Sequence, residues 1–354
     1  VTKISATVVG DSLSPQGNRL TTLLIMFPRF ILAELNTHRM LSKNSASSRA
    51  IPFEKMARAV KTNPFIPIAW QKPHSGMQGT GYWTDKAAER LTESWRWASK
   101  VAVASAEELA ANGSTKQLCN RLLEPFMWHT VLISGTEWEN FFELRCPQYT
   151  FEGVTYKSWK DVLKNYDFER ETIEDPILFP LSHNTGQAEI HMMALAEAIW
   201  DAQNESKPKQ LKAGEWHIPF EDKIVELLAT VGSNCHSVGE EWKKDKVKVA
   251  TAMAARTSYT VVGDEKEISY ERLIGIHDRM IAQRPFHASP FEHCARVMSD
   301  EEYETNVKGI FHPSESSMSQ FQADAYMDDK AEGWCKNYRG FIQYRHFVED
   351  NTQI

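Results

Sequence analysis

The sequence predicts an α+β protein, with helices packed on an antiparallel sheet. Three observations lead there. Strand-type and helix-type stretches alternate along the 354 residues, but without the regular βαβ spacing that a doubly wound parallel sheet needs. Two early runs, residues 4–9 and Leu20–Phe27, flank Ser14-Pro15-Gln16-Gly17-Asn18, which is hairpin composition. A hydrophobic share of 42% can bury a substantial core, in one large domain or two.

The elements follow in order. Residues 29–41 have helical spacing, with Phe30, Ala33 and Leu35 near one another, before a polar stretch that ends near Pro52. Residues 86–111 form the clearest helix, stopped by Asn112-Gly113. A second helix over 114–124 ends before Pro125, and 138–146 is helical with Trp138, Phe141, Phe142 and Leu144 on its apolar face. Residues 146–182 carry Pro147, Gly153, Pro176 and Pro180 and read as an inserted loop or small lid. A strong helix follows over 186–202, and the lysine-, proline- and glycine-bearing 203–220 reads as a linker. This divides the chain into an N-terminal part, 1–202, and a C-terminal part, 221–354.

In the second part, 222–235, 244–259 and 269–283 are helical by pattern, and 287–298 opens as a turn and becomes a strand. Residues 300–333 are acidic and rich in Ser and Met, a loop with a short helix; "YRGFIQYRHF" closes the chain. It faintly echoes "FPRFILAELNTHRM": each runs aromatic, Arg, apolar and then a basic pair with histidine.

Composition narrows the function classes. A net charge of −7 argues against broad nucleic-acid binding, which shows a basic excess. The five cysteines form no CxxC pair, so reduced thiols are expected, with no metal site and a cytoplasmic setting. No run approaches the ~18 apolar residues of a membrane helix. His183 and His191 lack metal-ligand partners and read as structural, Met192 and Met193 as core, and Trp95 and Trp97 as buried or interfacial. The acidic stretch "SDEEYE" reads as a solvated face.

Residues 36–49, "NTHRMLSKNSASSR", hold hydroxyl, amide and guanidinium donors and no acid. Such a stretch has little to place in a core and suits an anion, phosphate above all.

These residues resemble a known signature. "THRMLSKNSASSR" is similar to that of the flavin-dependent thymidylate synthases: Arg-His-Arg, two residues, Ser, one residue, Asn-Glu, one residue, Ser, one residue, Arg. His38, Arg39, Ser42, Asn44, Ser47 and Arg49 match; Thr37 replaces the first arginine and Ser45 the glutamate. "HASPFEH" (287–293), "AARTSY" (254–259), "NFFELR" (140–145) with "GQAEI" (186–190), and Arg121 with Pro125 resemble four further segments of that family. In the family the AARTSY and HASPFEH pieces precede the Arg-His-Arg piece. Here they come last and are followed by "GFIQYRH", so the motif order looks circularly permuted or partly duplicated. Permutation is compatible with one fold where termini lie close at the surface.

The resemblance implies a flavin-dependent thymidylate synthase-like fold and the conversion of dUMP to dTMP, with FAD as cofactor and NADPH and methylenetetrahydrofolate as co-substrates. It places Arg145 beside the pyrimidine carbonyls, where a fixed cation stabilises enolate-like charge. No cysteine stands in a recognisable nucleophile context. Ser47, Ser48, Arg49 and Arg121 are implied for the nucleotide, Arg121 from a neighbouring subunit, and Gln343, Arg345 and His346 are candidates to supply what Thr37 lacks. His38, Arg39, Asn44, Asn140, Ser258, His287, Ser289 and His346 are implied for the flavin. Sites at subunit interfaces imply a homo-oligomer, dimer or tetramer. Two alternatives stay open: a pyrimidine 5-hydroxymethylase or dCMP-modifying relative, motivated by Ser45 and Thr37, and a non-catalytic nucleotide-binding relative.

Overall fold

The computed structural model describes residues 3–75, 79, 81–168, 175–230, 240–259, 269–304 and 332–349. Cys235, the expected helix beyond residue 230 and the 305–331 part of the acidic loop lie outside them.

The described chain is α+β with small antiparallel sheets. The largest sheet has five strands in the order Ser42–Ser45, Trp128–Gly135, Arg19–Pro28, Ser5–Leu13 and Lys209–Gln210. The first four are antiparallel, and Lys209–Gln210 joins in parallel against Ser12 and Leu13. The early hairpin is the expected one; Gly17, at φ +84°, supplies the left-handed residue of its turn. The strand Trp128–Gly135 is not among the expected elements. Its Val131-Leu132-Ile133 run is buried on both faces, so it lacks the alternation that marks a half-exposed strand.

Two other expectations are corrected here. The polar stretch 36–49, expected to place little in a core, contributes buried residues: Ser42–Ser45 forms the sheet's edge strand, and Leu41, Ser42, Asn44 and Ser48 are buried. The stretch 203–220, read as a linker, supplies strands to the five-stranded sheet and to a three-stranded one. Besides Lys209–Gln210, its Trp216–His217 pairs with Ala295–Val297, which pairs with Phe341–Gln343. Leu211, His217 and Ile218 are buried, and that burial overrides the loop-like lysines, prolines and glycines around them.

The core has several centres. Helix Ile190–Glu205 covers the large sheet, packing Met192, Leu195 and Ile199 with Leu23, Ile25, Val131, Ile133 and Phe141. Helices Glu240–Arg256 and Tyr270–Ala282 pack Val247, Ala250 and Leu273 with Phe291, Cys294, Ile342 and Tyr344. Helix Phe53–Thr62 sets Phe53, Met56 and Val60 against Val103 and Ala106 of the long helix Asp85–Ala111. That long helix buries only a narrow stripe. Trp95 lies at its edge and donates to the Phe65 carbonyl at 2.8 Å, and Trp97 is 68% exposed, which leaves the interfacial alternative for it and not burial within the chain.

Residues 146–168, expected as part of a loop or small lid, hold regular elements. A hairpin, Tyr149–Phe151 with Val154–Tyr156, precedes helix Trp159–Asn165. Ser158 caps that helix by accepting from the N–H groups of Lys160 and Asp161. Tyr149, Phe151 and Val162 form a small core of their own, and His183 stacks on Phe151 at 4.7 Å. The unit is anchored to helix Ile190–Glu205 by polar contacts. Glu197 accepts from the Trp159 N–H at 2.5 Å and the Tyr149 hydroxyl at 3.2 Å; Ser158 donates to Asp201 at 2.5 Å, and the Trp200 indole donates to Asp161 at 2.9 Å.

Burial pushes the Glu197 pKa up to about 7; the Trp159 N–H holds it down, and the neighbouring Asp201 carboxylate adds to the rise. A raised carboxyl binds a proton more tightly folded than unfolded. Its contribution is therefore complete below the ordinary value of 4.5 and is lost as pH rises to about 7. The shift corresponds to about 3 kcal/mol. Glu197→Gln should flatten the decline in thermal stability over that window. Melting curves from acidic to neutral pH test this; a wild type that loses nothing relative to Glu197→Gln contradicts it.

Candidate functional site

Segments far apart in the chain meet at Asn44. The edge strand Ser42–Ser45 turns Ser42 and Asn44 inward. The Asn44 side-chain oxygen accepts from the Ser289 hydroxyl at 3.0 Å and the Ser258 hydroxyl at 3.4 Å, across separations of 245 and 214 residues. Its amide nitrogen donates to the Ala254 carbonyl at 2.5 Å. One residue pair further on, the Ser47 N–H donates to the Ser258 carbonyl at 2.8 Å. The amide of Asn44 is thus spent within the protein, and its direct role is to hold three segments together.

A second cluster surrounds Arg145, in the last turn of helix Glu139–Arg145. Its Nε donates to His38 Nε2 at 3.0 Å, one Nη to Glu34 at 3.3 Å and the other to the Thr37 hydroxyl at 3.4 Å. Because His38 Nε2 accepts, the proton of the neutral ring sits on Nδ1. Burial, then the Arg145 and Lys43 charges, push the His38 pKa down to about 4, so the ring is neutral at physiological pH. Glu34 is raised, first by burial and then by Glu189, while Arg145 opposes the rise. Thr37, in place of the family's arginine, also donates to the Glu34 carbonyl at 2.7 Å, closing the short helix before the signature.

Lys43 joins the site without having been singled out in the sequence. Its ammonium donates to the carbonyls of His38 and Leu41, which fixes the turn carrying His38. Burial lowers its pKa to about 8, and Glu292 acts against that. A lone lysine among serines and asparagines is the only sequence cue it offers.

The remaining candidate residues are placed as follows. Arg39, Arg49, Asn140 and His287 are exposed. Ser48 is buried, and its carbonyl accepts from Asn120 at 2.8 Å. Arg121 is exposed and pairs with Glu124 at 2.9 Å. Gln343 donates to Ser42 and Asn337 at 3.2 and 2.8 Å, bracing the edge strand. Arg345 pairs with Glu292 and Glu349, each at 2.7 Å. Its guanidinium is engaged by these two carboxylates. His346 packs against Phe347 at 5.8 Å.

Ser45, where the family has glutamate, contacts His129 Nε2 at 2.7 Å. Arg29 Nη1 lies 3.3 and 2.9 Å from the two ring nitrogens. The two lone-pair directions diverge, so one atom this close to both rests against the ring rather than on either lone pair. Burial and then Arg29 push His129 down to about 3. The family's anionic position is occupied here by a neutral hydroxyl–imidazole pair backed by a cation.

The cysteines offer no nucleophile among the described residues. Cys119, Cys146 and Cys294 are free thiols and, like Cys335, are buried. Burial raises the thiol of Cys146 far above its usual range and that of Cys294 to about 12, so neither is a thiolate at neutral pH. Among the described residues no cluster of His, Cys, Asp and Glu could hold a metal ion, and no helix is long and apolar enough to cross a membrane. His191 is structural as expected: it contacts Glu189 at 2.5 Å and accepts from the Ile68 N–H at 3.0 Å.

No family model matches the chain, and no curated protein matches it. Among solved structures, a UMP/dUMP methylase PolB from Streptomyces cacaoi bound with 5-Br UMP is similar over 57% of this chain and 89% of that one, at 14% identity and a TM-score of 0.40. The same methylase bound with 5-Br dUMP is similar over 57% and 90%, at 12% identity and the same TM-score of 0.40. A TM-score of 0.40 is too low to carry a functional reading.

Proposed function

We propose that the chain is a flavin-dependent thymidylate synthase with permuted motif order, converting dUMP to dTMP with methylenetetrahydrofolate as carbon donor and NADPH as reductant. The observation that carries this reading is the junction at Asn44, where three of the signature segments meet through Ser258 and Ser289.

The donor set suits FAD. Arg39 and His287 are exposed cation and imidazole donors for a pyrophosphate; Ser258 and Ser289, joined at Asn44, and His38 are the further side chains assigned to the flavin. When bound, the flavin supplies the hydride that completes the methyl group. The chain's own residues orient and polarise. Arg145 places a fixed cation at the pyrimidine carbonyls, and the neutral His38 ring holds the Nε of that guanidinium without competing for its charge. Ser47, Ser48, Arg49 and Arg121 take the nucleotide phosphate, Arg121 across a subunit interface. Its exposed pairing with Glu124 is of a kind worth ~0.2–1 kcal/mol, so a phosphate readily replaces it.

One observation favours a second reading, a changed substrate or product. Ser45, His129 and Arg29 put a neutral pair and a cation where the resembled family has a carboxylate. Purified protein should be yellow with the spectrum of oxidised flavin. Mass spectrometry after incubation with dUMP or dCMP then separates the readings: a methylated dUMP supports the first, a hydroxymethyl or dCMP-derived product the second. A colourless protein that FAD does not reconstitute overturns both.

A further inference from the structure

A buried chain of side chains crosses the molecule between the two sheets. Ser12 Oγ lies 2.8 Å from His217 Nδ1, His217 Nε2 lies 2.8 Å from Thr22 Oγ1, Thr22 Oγ1 lies 2.7 Å from Ser134 Oγ, and Ser134 Oγ lies 2.8 Å from His293 Nδ1. All five residues are buried. Sheet register builds this line, since Thr22 opposes Gly10 on one side and Ser134 on the other. A Cβ at Gly10 would stand 3.0 Å from His217 Cε1, so the missing side chain makes room for the ring. At the far end, His293 Nε2, the Tyr338 hydroxyl and Gln343 Oε1 are buried and lack an aligned hydrogen-bond partner among the described residues. The Tyr338 hydroxyl sits beside Ser42, Ser134 and Gln343.

Counting protons constrains the two rings. Each hydroxyl donates once. If both rings faced the line with bare nitrogens, Thr22 would donate to His217 and Ser134 to His293. The 2.7 Å contact between the hydroxyls would then hold no proton. At least one ring must therefore present N–H. When His293 Nδ1 is bare, the order is fixed throughout: Ser134 donates to His293, Thr22 to Ser134, His217 Nε2 to Thr22, and Ser12 to His217 Nδ1.

We infer that His217 is a positioning residue that sets the ring tautomer of His293 through Thr22 and Ser134. His293 ends the "HASPFEH" segment, and its ring orientation bears on the turn whose Ser289 meets Asn44. That consequence for catalysis rests on the proposed flavin reading; the tautomer linkage does not.

The test uses the full chain with its histidines labelled with nitrogen-15, reading the ring nitrogens of His293 by NMR. Ser12→Ala removes a group that reaches His293 only through the line. It should shift the His293 tautomer ratio by about twofold or more. Thr22→Val should do the same, while Thr22→Ser, which keeps the hydroxyl, preserves the wild-type ratio and guards against a folding failure in the valine variant. A His293 ratio unchanged in folded Ser12→Ala overturns the inference. A shifted ratio in a protein that binds no flavin upholds it and overturns only the proposed function.

Discussion

On the proposed function, Arg145→Ala should lower turnover of dUMP by about 10²–10³-fold while flavin stays bound, the loss typical of one preorganised charge at a reacting centre. The guanidinium is held by an imidazole, a carboxylate and a hydroxyl, which fix its plane before substrate arrives. Its removal leaves two signs that do not depend on activity. His38 loses one of the charges that depress it, so its pKa climbs from about 4. Glu34 loses the Arg145 charge that opposes its rise and moves further up. Single-turnover product formation, flavin absorbance and His38 titration read the three effects. Turnover within a few-fold of wild type, with His38 shifted, removes Arg145 from the chemistry and leaves it a structural clamp.

Asn44→Ala has the larger effect on stability. It strips partners from two hydroxyls and a carbonyl at a buried site. Each buried group left unpaired costs about 1–3 kcal/mol, and partial relaxation brings the expected total to roughly 2–4 kcal/mol. Asn44→Asp is no rescue, since it turns a carboxylate oxygen toward the Ala254 carbonyl. Denaturant unfolding measures the loss, and flavin retention should fall with it. A change below about 0.5 kcal/mol would mean that the segments meet without depending on this amide.

The sequence was informative where one local rule dominates. The opening hairpin has turn chemistry between β-branched runs, and the helix ending at Ala111 stops at Asn112-Gly113, with Gly113 at φ +82°. It was silent where distant partners decide. Trp128–Gly135 is a short, wholly buried run that periodicity cannot assign. His217 stands in loop-like surroundings, and nothing nearby announces Ser12 or Thr22, 205 and 195 residues away. Among candidate residues, motif matching found Asn44, Ser258 and Ser289, which the fold joins. It also suggested Arg345, whose pairing with Glu292 and Glu349 depends on three-dimensional proximity that spacing alone does not encode. Lys43 and His129 had no signature to betray them.

Residues 209–210 border the five-stranded sheet and 216–217 the three-stranded one. Fragments split on either side of that segment would each carry a raw β edge, prone to pair with foreign strands. A split-reporter or permutation design would do better to open the chain at Gly153, the exposed tip of the Tyr149–Tyr156 hairpin, where φ is already +82° and a Cβ would meet nothing within 4 Å.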